Sequence, residues 1–305
     1  MTTLRGAGTG LLVLALLSGP ALAQELTPRA YAPNPVGGNI FLLGYAHTGG
    51  EVLFDPTLTV EDADASINAG SFVYGRTFGL FGRSASAQVI VPYMGGSVDA
   101  VLDGEPIRFS GSGWGDLRGR FTMNVLGGPA LKPREFAAQR PDRILGVSVE
   151  VMAPTGKYEP WKPVNIGANR WSVKPEVGIS RTHGHWYYEL YGGVWFFGDN
   201  TDFNGGLVRE QAPMGALQAH VSYIFNPRLW LAADYTFYTG GRTTVDDKVT
   251  FDLFANSRLG FTLAVPVARR AALRLAWSTG MTTRVGSDFD VLSLGMQVVW
   301  FRGSR

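Results

Sequence analysis

Polar and apolar positions alternate with period two along much of the chain, the spacing of strands whose two faces meet different surroundings. Between Asp116 and Val125, one face carries Asp116, Arg118, Arg120, Thr122 and Asn124, and the other Leu117, Gly119, Phe121, Met123 and Val125. Between Trp171 and Ser180, Trp171, Val173, Pro175, Val177 and Ile179 alternate with Ser172, Lys174, Glu176, Gly178 and Ser180. Near the end, Leu292, Leu294, Met296, Val298 and Trp300 alternate with Ser293, Gly295, Gln297 and Val299. Twelve strands are predicted, at about 39–48, 67–78, 84–93, 115–126, 143–153, 171–181, 186–196, 214–225, 229–239, 256–266, 272–281 and 291–301.

The predicted connections alternate in length. Short ones lie at Gly79–Arg83, Thr182–His185, Asn226–Arg228 and Val267–Ala271; long polar ones lie at Gly49–Ser66, Met94–Trp114, Pro154–Arg170, Phe197–Pro213 and Gly240–Ala255. Short turns on one side and long loops on the other belong to a barrel of the bacterial outer membrane, whereas a soluble sandwich has no reason to alternate so regularly. The link Gly127–Asp142 is the exception, long and proline-containing where a short turn belongs. The fold expected is all-β, a transmembrane antiparallel up-and-down barrel of about twelve strands.

In hydrocarbon a charged side chain is costly, so the apolar sets face lipid and the polar sets the lumen. That places Arg76, Asp116, Arg118, Arg120, Glu150, Lys174, Glu176, Glu189, Asp234, Arg258 and Arg274 inside, as residues that would set selectivity. Strand-end aromatics such as Tyr93, Trp186, Phe196, Phe225, Phe237 and Trp300 suit the two interfacial girdles. The last strand ends in Trp300 and Phe301 before a basic tail, Arg302 to Arg305, a pattern expected to be read by the barrel-assembly machinery.

Composition agrees with this choice. The chain holds 40 Gly, 18 Phe, 11 Tyr and 8 Trp, with 17% charged residues and no Cys, so disulfides are excluded. A net charge of +2 gives no basic surface for nucleic acid. Arg5, the apolar run Leu11–Leu17 and the small-residue site Ala21-Leu22-Ala23 read as a signal peptide over residues 1–23, which leaves 24–305 as one barrel domain. After Gln24 no apolar stretch is long enough for a membrane helix.

One region carries a sequence motif. Ala153-Pro154-Thr155-Gly156-Lys157-Tyr158 is followed by Asn165-Ile166-Gly167-Ala168-Asn169-Arg170-Trp171-Ser172-Val173-Lys174-Pro175-Glu176-Val177-Gly178. This arrangement resembles the outer-membrane proteins of the meta-pathway of phenol degradation family, which are often described as transporter-like. The resemblance implies an outer-membrane barrel, in some members associated with aromatic degradation, and brings no catalytic residues with it. By their own chemistry, Pro154, Gly156, Tyr158, Asn165, Gly167 and Asn169 form a stiffened loop at the mouth, and Pro175 implies a bulge.

Other candidates are weaker. His220 and Ser222 share a strand face at a spacing that a twelve-stranded outer-membrane phospholipase uses, but such a pair must face lipid to act on it, and here both fall on the polar face. His183 and His185 flank a turn without a third metal ligand, and Asp199, Asp202 and Asn204 lack the spacing of a calcium loop. Gly111-Ser112-Gly113-Trp114-Gly115 precedes no helix and so is not a phosphate loop. No metal or cofactor is called for. The expected activity is passive passage of small solutes, hydrophobic or aromatic ones included, through a barrel held in outer-membrane lipid. A lipid-acting enzyme at His220 and Ser222, or a structural barrel with a closed lumen, stand as alternatives.

Overall fold

The computed structural model describes residues 26–53, 60–102, 104–138, 142–162 and 164–301; the expected signal peptide and the basic tail lie outside the described residues. In chain order the elements are β1 (Gly38–Leu53), β2 (Val60–Leu80), β3 (Arg83–Leu102), β4 (Glu105–Trp114), β5 (Leu117–Leu126), α1 (Pro133–Ala138) and β6 (Arg143–Ala153). Then come β7 (Ser172–His183), β8 (Trp186–Phe197), β9 (Asn200–Phe203), β10 (Leu207–Gln211), β11 (Met214–Asn226) and β12 (Leu229–Gly240). The last are β13 (Thr243–Val245), β14 (Lys248–Val249), β15 (Phe254–Ala268), β16 (Ala271–Thr282) and β17 (Gly286–Phe301).

Twelve of these strands form a closed antiparallel ring, β1-β2-β3-β5-β6-β7-β8-β11-β12-β15-β16-β17. It shuts where β1 pairs with β17, from Gly38↔Phe301 to Leu53↔Gly286. Closure removes every edge whose backbone groups would otherwise meet lipid unpaired. The twelve ring strands are the twelve expected, and their alternation has the expected sense: Val177, Ile179, Leu292, Leu294 and Met296 are exposed, whereas Lys174, Glu176 and Ser180 are buried inside.

Four strands, β1, β2, β3 and β17, run well beyond their expected bounds. The predicted loop Gly49–Ser66 is largely ladder, with β1 and β2 still paired at Glu51↔Asp64, and Met94–Trp114 is the hairpin of β3 with β4. The reason is an inversion of the pattern above the bilayer. There the polar residues Glu51, Asp64 and Asp99 point outward into water. Val52, Ala63, Ala65, Val98, Ala100 and Phe289 point inward and pack as an apolar cluster inside the outer mouth. Alternation persists, but with the faces of a soluble hairpin, so it reads as polar loop. The outer loops between β8 and β15 add a small sheet, β14-β13-β10-β9.

At the other end the links are short. Phe81 and Gly82, with φ of 50° and 72°, close the β2–β3 hairpin, positive φ at both central residues matching the strand twist. The long β5–β6 link folds into α1, opening on Pro133 and capped where Lys132 N–H donates to Glu135 Oε2 at 2.9 Å.

Residues 26–37 form no strand. They fold into the barrel from the short-turn end, tied at its rim by Gly37 N–H to Thr77 O at 2.9 Å and Ser84 Oγ–H to Asn34 O at 3.1 Å. This inward segment has no hydrophobic periodicity and was not expected from the sequence.

Candidate functional site

The lumen is built in two unlike halves. On the first, β5, β6 and β7 carry a cluster of five charges. Arg120 faces Glu150 and Glu150 faces Lys174 in register. Arg120 reaches Glu176 at 2.8 Å and Glu150 at 3.8 Å; Lys174 reaches Glu176 at 3.1 Å and Glu150 at 3.9 Å; Arg118 pairs closely with Glu150. All five side chains are buried. Each carboxylate therefore sits between cations, the arrangement that makes burial of charge tolerable.

The inward segment packs against this half. Tyr31 is 1% exposed, and its hydroxyl lies 2.9 Å from Ser148 Oγ and donates to Glu176 Oε1 at 3.0 Å. Its ring meets Tyr191 edge-on at 4.8 Å. The ring lies on Gly146 and Gly178, which face each other across β6 and β7; a Cβ on either would come within 2.2 Å of it. Arg29 N–H donates to Glu189 at 2.8 Å, Ala30 N–H to Tyr191 Oη at 3.2 Å, and Thr27 Oγ1–H to Gln218 Oε1 at 3.1 Å. Trp230 is flanked by the guanidiniums of Arg29 and Arg274, 5.3 and 5.5 Å from its ring centre. Behind the segment, His220 Nδ1 lies 2.7 Å from Asp234 Oδ1, and Thr262 Oγ1–H donates to Asp234 Oδ2 at 2.6 Å.

The second half, β16, β17, β1, β2 and β3, is lined by small and apolar side chains. Here a cavity of about 1520 Å³ remains. Its lining reaches from Trp161 and Val164 of the outer loops to Arg228 and Arg270 in the short turns.

The motif residues form the outer rim. Asp116 accepts Gly156 N–H at 2.8 Å and Ala168 N–H at 2.7 Å, and Thr155 Oγ1 accepts Leu117 N–H at 2.9 Å. Asn165 Oδ1 accepts Glu159 N–H at 2.8 Å, while its amide donates to the carbonyls of Glu159 and Lys162. Asn169, at φ 53°, donates to Asn200, which donates to the Tyr158 hydroxyl; both contacts are 2.8 Å. Gly156 and Gly167 touch so closely that a Cβ on either would fall 2.8 Å from the other. Burial raises the Asp116 carboxyl above its ordinary range against the pull of these N–H groups. Burial, and then the Arg209 charge, lower the Arg170 guanidinium.

Most of the charges expected inside are there: Arg118, Arg120, Glu150, Lys174, Glu176, Glu189, Asp234 and Arg258 are buried, and Arg274 lines the cavity. Arg76 is a correction. It is exposed on the outer face with Phe72 and Tyr74, near the short-turn end of β2, where a long side chain snorkels to the interface. Asp116 is inward but is held by the mouth loop. His220 and Ser222 are also inward, 1% and 0% exposed, which removes the lipid-facing placement that a lipid-acting pair needs. Of the turn histidines, His185 Nδ1 contacts Ile224 O at 2.9 Å and its ring stacks on Tyr223. Sequence reasoning missed Tyr31, Arg29 and their glycine seat. The available signal was Gly146 and Gly178, each at an inward position of a predicted strand.

The family described as "Putative MetA-pathway of phenol degradation" matches residues 48–291. Among solved structures, the COG4313 outer membrane channel from Pseudomonas putida F1 is 24% identical, with a TM-score of 0.76 over 90% of this chain and 100% of that one. The beta domain of the Bordetella autotransporter BrkA is 10% identical, with a TM-score of 0.52 over 87% of this chain and 100% of that one. No curated protein sequence matches.

Proposed function

The chain belongs to the phenol-degradation family just described and is a barrel of the bacterial outer membrane, and from that premise we propose that it is a passive channel for small solutes, hydrophobic and aromatic ones included. The observation that carries this reading is the cavity of about 1520 Å³ beside the inward segment, touching both the outer loops and the short turns. The inward segment fills the charged half of the lumen and leaves the other half as the path. A twelve-stranded barrel lies between those that side chains fill and those that leave a wide water channel. The segment brings this one to the narrow end of that range.

In this reading the ion-paired cluster is structural, holding Tyr31, while the outer loops 153–170 set the entrance. The name of the Pseudomonas putida relative, an outer membrane channel, supports the activity. The family description supports aromatic compounds as the solute class; their inward passage is part of the proposal. Residues 1–23 serve as the signal peptide, and Trp300 with Phe301 as the signal read by the barrel-assembly machinery. No step calls for a cofactor or a catalytic residue.

Swelling of liposomes carrying the purified protein, in neutral solutes of increasing size, tests this. Uptake that falls steeply with size is expected. Swelling no faster than in protein-free liposomes for every solute would leave the closed structural barrel.

A further inference from the structure

The path is amphipathic across its width and charged along its length. Its open wall carries apolar side chains in register: Ile90, Val73 and Leu42 follow one another across β3, β2 and β1, and Ile40 faces Val299 between β1 and β17. All five line the cavity. At its outer end this wall runs into the apolar cluster of Phe289 and Val98, against which Val164 and Val291 pack.

Charge on the path is one-sided. Among the described residues, the acidic ones lining it are Asp116, held by two loop N–H groups, and Glu150, held by Arg118, Arg120 and Lys174. Glu176, Glu189 and Asp234 lie behind the inward segment and do not line it. At the short-turn end, Arg228, Arg269, Arg270 and Arg274 border the cavity together. Arg228 Nη1 donates to the carbonyls of Ala268 and Arg269 at 2.8 and 2.9 Å, which holds two turns and their charges side by side. Fixed charges of one sign at the end of a narrow, low-dielectric path concentrate the opposite ion.

We propose that the solutes this path favours are small organic anions with an apolar body, the body sliding on the Ile90–Val73–Leu42 wall and the charge drawn to the arginine group at the short-turn end. This rests on the channel reading and names its substrate class. A neutral aromatic compound would use the wall alone, and an inorganic anion the arginines alone.

Permanently charged probes give the test: benzenesulfonate, methanesulfonate and phenyltrimethylammonium, compared by bi-ionic reversal potentials in planar bilayers with the full mature protein. Benzenesulfonate should exceed phenyltrimethylammonium in permeability by at least about fivefold, and should also exceed the smaller methanesulfonate. Arg269→Gln with Arg270→Gln, in an exposed turn, should reduce the anion preference by about half or more. Ile40→Ser with Val73→Ser should reverse the order of the two sulfonates and leave the chloride-to-potassium ratio unchanged. A conducting protein that passes phenyltrimethylammonium as well as benzenesulfonate overturns the inference and leaves the channel standing. A protein silent toward potassium chloride and every probe overturns both.

Discussion

The inward segment is held by a contact that a single methyl group removes. Tyr31 rests on Gly146 and Gly178, and a Cβ on either would stand 2.2 Å from its ring, a distance no side chain tolerates. Gly146→Ala or Gly178→Ala must therefore lift the ring from its seat. What is lost can be estimated from the contacts. The two hydrogen bonds, one to a carboxylate, contribute about 2–4 kcal/mol. The edge-on pair with Tyr191 contributes about 1 kcal/mol, and burial of the ring about 2 kcal/mol. Chain and side-chain freedom regained on release offsets about 2 kcal/mol. The net, about 3–5 kcal/mol, shifts the seated-to-released ratio by two to four orders of magnitude. The assay is single-channel recording of parent, Gly146→Ala, Gly178→Ala and Tyr31→Ala proteins, with Gly192→Ala as control, since a Cβ there meets nothing within 4 Å. The first three variants should show larger and noisier conductance than the parent, and Gly192→Ala should match it. Parent-like conductance in both glycine variants would refute the claim that this segment narrows the path.

Other expectations follow from the register and the cluster. Val89→Arg, on the lipid face, should impair assembly by about 2–4 kcal/mol, whereas Gln88→Arg, one residue away and lining the cavity, should assemble normally; folded yield in outer-membrane fractions reads the difference. Arg120→Met leaves Glu176 paired with Lys174 and should cost about 3–5 kcal/mol, seen as a lower temperature for loss of the compact band in heat-modifiability gels. Asp116→Ala strands the N–H groups of Gly156 and Ala168 at about 1–3 kcal/mol each, so limited proteolysis of intact cells should cut within 153–170 sooner than in the parent.

The barrel was legible because lipid imposes one rule on every spanning strand, and the segments around Arg118 and Leu294 obey it without local exception. The same rule misled where the bilayer ends. Glu51 and Asp64 face water outside an apolar interior, so paired strand took on the look of loop. Arg76 departs from the expectation because charge alone does not fix its face: Phe72 and Tyr74 share that face and place it at an interface. The inward segment left no periodic trace, since residues 26–37 are held by single contacts to many strands instead of by a repeating face. The partnership of Tyr31 with two glycines more than a hundred residues away is a property of the register between β6 and β7, which periodicity within one strand does not encode. The mouth motif reads as a stiff loop from its Pro, Gly and Asn residues, but its tie to Asp116 does not show in the sequence, because Asp116 shares the parity of Arg118 and lies some forty residues before Gly156.

The claim that this barrel is a passive channel is met most directly by the current through the unmodified mature protein, reconstituted singly in a planar bilayer in potassium chloride. The account predicts small, discrete, ohmic steps, far below those of an unobstructed barrel of this size, because one half of the lumen is filled and the other is open. A protein that inserts in folded form yet passes no current at any voltage would contradict it.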